Sequence, residues 1–135
     1  MEIVHIILGK ANPNRTNGVN KVVNSLATYQ TKKGVKISVW GITKNPIHDY
    51  PERNYKTILF KETSKIFLPK GIKEAIQTKD KSTVFHFHGG FLPQFILITR
   101  LILKQGLSYV FTPHGSYNTI AMKRSNWKKK MYISL

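Results

Sequence analysis

The stretch Thr83–Gly115, TVFHFHGGFLPQFILITRLILKQGLSYVFTPHG, holds two apolar runs on either side of a helix-length segment. Thr83–Phe87 and Leu107–Thr112 are short, β-branched and aromatic, as buried strands are. Between them, Pro93 suits a first helical turn, and Phe95, Ile96, Leu97, Ile98, Leu101, Ile102 and Leu103 run to a stop at Gly106. Strand, helix and strand at this spacing predict a βαβ unit, hence an α/β protein with a parallel sheet. Each strand exits through a His-Gly pair, His88-Gly89 and His114-Gly115. Ligands of open parallel sheets bind beyond the carboxyl ends of the strands, so both imidazoles are expected on one rim.

Working outward, Glu2–Leu8 reads as a first strand and Gly9–Asn17 as a loop. A helix follows from Gly18, with Val22, Val23, Leu26, Ala27 and Tyr29 as its apolar stripe and Lys32-Lys33-Gly34 as its end. Val35–Ile42 is a second strand, with Val35, Ile37 and Val39 alternating against Lys36 and Ser38. Thr43–Asn54, holding Pro46 and Pro51, is a connection without a crossover helix. Lys56–Phe60 reads as a third strand and Gly71–Thr78 as a short helical patch. The helix between the two His-Gly strands is apolar nearly all round, which fits burial between neighbours or rest on a membrane; it is too short to span one. Ser116 onward is a further helical pattern, through Trp127 and Lys128-Lys129-Lys130 to Leu135. It lacks a stop signal, as expected of a fragment or of a chain whose partner segment is missing.

The 135 residues are the size of one domain with a real core. No apolar run reaches membrane-spanning length, and the start lacks the features of a secretory signal, so the chain reads as cytoplasmic. Zero cysteines exclude disulfides, thiolate nucleophiles and Cys-type zinc sites. The net charge of +16 fits either a solvated basic surface or one that meets phosphate-rich partners. Asp80 is the last acidic residue, so any chemistry carried by residues 81–135 proceeds without a carboxylate side chain.

The Gly9–Gly18 loop joins a strand to a helix start, where backbone N–H groups hold phosphate. It is neither G-x-G-x-x-G nor G-x-x-x-x-G-K-[ST], which argues against dinucleotide binding and P-loop hydrolysis. His86 and His88 share a strand face, the spacing of a metal pair, but no carboxylate accompanies them; no metal is expected, and His86 is assigned to the core. His88-Gly89-Gly90 resembles an esterase oxyanion loop, yet no G-x-S-x-G elbow exists in the chain. His114, between Pro113 and Gly115-Ser116, leaves its strand tightly at a helix start. Its ring there can hydrogen-bond sugar hydroxyls or phosphate, with Gly115 admitting the ligand to the backbone.

Gly18-Val19, Val84-Phe85-His86-Phe87-His88-Gly89, Pro113-His114-Gly115 and Ser125-x-Trp127-Lys128-Lys129 together resemble the N-terminal domain of the family 4 (group 1) retaining glycosyltransferases of the GT-B fold. The similarity spans nearly the whole chain. It implies a Rossmann-like three-layer domain over residues 1–135 that forms the acceptor-side half of a two-domain enzyme, with a nucleotide-sugar domain absent from this chain. By the resemblance, Asn17 and Gly18 belong to the donor diphosphate or sugar loop, where the family's usual Gly-Gly is Asn-Gly here. His88, Gly89 and Gly115 face the acceptor or transferred sugar, and His114 is the catalytic residue. The implied transfer needs no metal or cofactor. The leaving diphosphate of the nucleotide sugar deprotonates a glycan or lipid-linked acceptor, and the protein positions the reactants and stabilises charge. Trp127, Lys128, Lys129 and Lys130 are expected to dock on anionic headgroups at the inner face of the cell membrane. The isolated chain is expected to be inactive. The rival readings are a basic nucleic-acid-binding domain, which charge favours but no recognition motif supports, and a non-catalytic sugar-binding domain.

Overall fold

In the computed structural model, which describes residues 1–14, 18–90 and 92–113, the apolar runs form five strands: β1 (Glu2–Leu8), β2 (Lys36–Thr43), β3 (Lys56–Lys61), β4 (Thr83–His88) and β5 (Ser108–Thr112). Three helices intervene: α1 (Gly18–Lys32), α2 (Ile72–Gln77) and α3 (Pro93–Lys104). The strands make one all-parallel sheet in the order β3-β2-β1-β4-β5, with helices on both faces. The fold is therefore the Rossmann-like α/β class that the βαβ pattern predicts.

Helix ends follow from local chemistry. Gly34 adopts φ 88°, and the Val35 N–H donates to the Gln30 carbonyl at 3.1 Å. Gly106 adopts φ 72°, and the Leu107 N–H donates to the Ile102 carbonyl at 3.0 Å. Both are Schellman closures, in which a left-handed glycine lets the next amide satisfy an orphan carbonyl. Pro93 occupies the first turn of α3, preceded by extended Leu92.

The two faces of the sheet differ. Val4, Ile6, Trp40, Ile42, Phe85, Phe87, Tyr109 and Phe111 point to the side where α2 brings Ile72 and Ile76 and α3 brings Phe95, Ile98 and Ile102, forming the larger core. Ile7, Ile37 and Val39 point to the other side, where Val23 and Ala27 of α1 and Tyr55 cover them. The apolar girdle of α3 thus buries one stripe against the sheet, while Ile96 and Leu103 stay exposed. No described helix is long and apolar enough to cross a membrane.

The alternation expected in β2 gives way because that strand is covered on both faces. Lys36 is exposed, but Ser38 is buried and donates from Oγ to Glu2 Oε2 at 2.9 Å. The β2–β3 connection has no helix, as expected. Its Tyr55 packs into the α1-side core and donates its hydroxyl to Asn24 Oδ1 at 2.6 Å.

Candidate functional site

Strand order sets the location. From β1 the chain moves through α1 to β2 on one side, whereas from β4 it moves through α3 to β5 on the other. The direction of winding reverses between β1 and β4, and a crevice opens at such a switch point beyond the strand ends. The loop after Leu8 and the His88-Gly89 exit of β4 flank this switch point.

The first loop is held against the sheet by glycines. Gly9, at φ 94°, donates its N–H to the Ile42 carbonyl at 2.7 Å. Its own carbonyl lies over Gly41 of β2, where a Cβ would come within 2.4 Å of that oxygen and 2.8 Å of Leu59 Cδ2. Only a residue without a side chain permits that approach. Lys10 then pairs with Asp49 at 3.1 Å, and its carbonyl accepts from the Tyr50 hydroxyl. Burial, reinforced by the negative charges of Asp49 and Glu52, pushes the Tyr50 phenol up to about 12.

Gly18 is exposed as the first residue of α1, with open space where a Cβ would stand. Two residues later, buried Asn20 has no hydrogen-bond partner for Oδ1 among the described residues. Gly89 adopts φ 133°, a conformation that side chains disfavour, and its N–H donates to the Thr112 carbonyl at 3.2 Å, extending the β4–β5 ladder past the strand end.

Three imidazoles meet on the α1 side of β1 and β4. His5 is the register partner of His86, and His88 lies two residues further on the same face. Ring centroids are 5.2 Å apart for His5–His86, 5.0 Å for His5–His88 and 4.0 Å for the stacked pair His86–His88. His5 Nε2 lies 2.7 Å from Gln30 Oε1 of α1, and His5 Nδ1 lies 2.8 Å from His88 Nε2. An amide oxygen only accepts, so the Gln30 contact assigns the proton to His5 Nε2. His5 Nδ1 is then the acceptor for an N–H on His88 Nε2. Burial holds the His5 imidazole below its usual value, against the opposing pull of the Gln30 hydrogen bond. His86 Nε2 is hydrogen-bonded to Thr112 Oγ1 at 2.7 Å.

Burial of the β4 pair departs from the sequence expectation. His88, expected to open onto the cleft, is 2% exposed and packed against His5, whereas His86, expected in the core, is half-buried. His5 carries no motif, and only its polarity within an apolar strand marks it. The other missed feature is Gln94 at the start of α3, whose Nε2 donates to Glu62 Oε1 and to the Ser64 carbonyl, both at 2.7 Å, tying the helix to the segment after β3. Asn17, His114, Gly115, Trp127, Lys128, Lys129 and Lys130 lie outside the described residues. An open depression lined by Glu2, Lys36, Lys79 and Asp80 sits at the amino ends of the strands, away from the switch point. No family model, curated protein or solved structure matches this chain.

Proposed function

We propose that this chain is the acceptor-side half of a retaining glycosyltransferase of the GT-B type, moving a sugar from a nucleotide-sugar donor to a glycan or lipid-linked acceptor. The observation that carries the reading is the β1/β4 switch point, flanked by the glycine-anchored loop leading to Gly18 and by His88-Gly89. A helix start offers N–H groups to a diphosphate, and a side-chain-free strand exit admits a bulky, hydroxyl-rich ligand. His114-Gly115, following β5, supplies the catalytic imidazole and a second such exit in this reading. With a diphosphate as its own base, the transfer asks the protein for orientation and charge stabilisation, and no metal enters it.

The test uses the complete protein that carries this domain. Incubation with nucleotide sugars and a lipid-linked acceptor should yield glycosylated product, and His114→Ala should lower turnover about 100-fold or more at unchanged fold. Wild-type turnover in that variant removes the assigned role. A second α/β domain downstream of Leu135 with an E-x₇-E motif would add support. Trp127 and Lys128–Lys130 dock the enzyme on the inner face of the cell membrane in this reading, and failure to bind anionic liposomes at low salt eliminates that part.

The +16 charge independently favours a nucleic-acid-binding reading. A gel shift with DNA or RNA that weakens steeply with salt, in a protein that hydrolyses and transfers no sugar nucleotide, would decide for it.

A further inference from the structure

We propose that His5, His86 and His88 form a three-histidine site for a divalent transition-metal ion of the zinc class, independent of glycosyl transfer. Each residue offers a ring nitrogen, and the three nitrogens lie within 4.8 Å of one another. Around a tetrahedral ion with Zn–N bonds of about 2.05 Å, ligand nitrogens stand about 3.3 Å apart. The facing pair His5 Nδ1 and His88 Nε2 is at 2.8 Å, so it must open by only about half an ångström. In the metal-free pair one proton, on His88 Nε2, lies between these two nitrogens. On metal binding His88 takes its other neutral tautomer, the proton moving from Nε2 to Nδ1 through solvent, and the freed Nε2 lone pair meets the ion.

The surroundings are those of a metal-binding imidazole. Gln30 Oε1 accepts from the outer nitrogen of His5, which fixes the ring and leaves Nδ1 as the lone-pair donor. The hydrogen bond between His86 Nε2 and Thr112 Oγ1, at 2.7 Å, orients the His86 ring. The donor set, all neutral nitrogen, selects zinc, nickel or copper over magnesium, calcium or manganese, which prefer oxygen. Entry is from the side of the sheet that bears His86, where Ser108 and Val110 of β5 are exposed. The absence of carboxylates after Asp80 argues against a metal only while His86 and His88 are taken as the whole set. The third ligand comes from β1, and three histidines suffice for zinc.

Titration of the 135-residue chain with Co²⁺ tests the site. Intense visible d–d bands of tetrahedral Co²⁺ should appear, saturate at one equivalent and vanish on adding Zn²⁺. His86→Asn and His88→Asn should each abolish the bands, Gln30→Ala should weaken affinity about 10–100-fold, and His48→Asn, outside the cluster, should change nothing. In the wild-type chain, imidazole ¹⁵N resonances of His5, His86 and His88 should shift on adding Zn²⁺, which reads the ligands without any variant. Absence of tetrahedral bands, bands that survive both β4 variants in folded protein, or ¹⁵N shifts confined to other histidines would each overturn the proposal.

Discussion

The two faces of the sheet are built from the same five strands and serve different ends. The side under α2 and α3 is hydrocarbon and aromatic, with Trp40 packed on Phe60 and Phe85, and Phe87 on Phe95 and Tyr109. The side under α1 has a smaller apolar cluster on β1 and β2 and carries His5, His86 and His88 on β1 and β4. Alternation of side chains along a strand lets β1 and β4 contribute to both: Val4 and Ile6 to one face and His5 to the other, Phe85 and Phe87 to one and His86 and His88 to the other. Aromatic packing on the first face holds in register the strands whose second face bears the polar groups. Apolar packing and polar side chains are thus segregated at single-residue spacing.

Replacing Phe87 with Ala attacks the aromatic face and should have the largest effect, a loss of about 3–5 kcal/mol in denaturant unfolding. The α1 face should respond through its close approaches. Gly41→Ala places a methyl group against the Gly9 carbonyl and should cost about 1–3 kcal/mol. Because it displaces the first loop, it should also, under the proposed function, weaken nucleotide-sugar binding by the complete protein more than Phe87→Ala does at matched folded fraction; equal effects would erase the distinction between the faces.

Along β1 the contrast is between its ends. At the amino end, Glu2 is buried and accepts from Lys79 Nζ at 2.9 Å and from Ser38 Oγ at 2.9 Å, with exposed Lys36 4.0 Å away. Burial alone would raise the Glu2 carboxyl, but the hydrogen bonds and charges of Lys79, Ser38 and Lys36 outweigh it and hold the group below its ordinary value. A depressed carboxylate stabilises the fold at pH values above the ordinary 4.5, and that contribution is lost as pH falls through the folded-state value. Glu2→Gln should therefore cost about 1.5–3 kcal/mol at neutral pH and flatten the acid limb of a stability–pH profile. An unchanged acid limb would show that Glu2 is not its source.

The smallest effect is expected from Tyr55→Phe, which removes the hydroxyl that bonds Asn24 and should cost about 0.5–1.5 kcal/mol. Its neighbour Tyr50 gives a spectroscopic counterpart. With its phenol raised to about 12, ultraviolet titration should find it protonated well after exposed tyrosines ionise. The stability this contributes is complete below the ordinary value of 10.0 and fades as pH rises towards 12.

Most of the fold was legible in the chain because periodicity and stop signals are local. Glu2–Leu8 and the start of α1 at Gly18 coincide with expectation, and α3 ends before Gly106 because that glycine is the left-handed closing residue. Strand pairing is not local. Nothing within Ile3-Val4-His5-Ile6-Ile7 tells that its histidine will stand beside residues more than 80 positions away, since alternation fixes a face but not a neighbour. For the same reason nothing in the sequence around Gly41 shows that the Gly9 carbonyl will lie over it. The hydrogen bond from Gln94 to Glu62 is likewise a product of loop geometry that composition does not encode.

The place of β3 in the strand order has a consequence for solubility. It is the outermost strand on its side among the described residues, and its middle, Thr57-Ile58-Leu59-Phe60, is the kind of short apolar run that recruits further strands from other molecules. Lys56 and Lys61 bracket it, both exposed. A second molecule adding to that edge would have to bring its own lysines into register with these, so charge repulsion guards the one long unpaired row of amides that this sheet presents there.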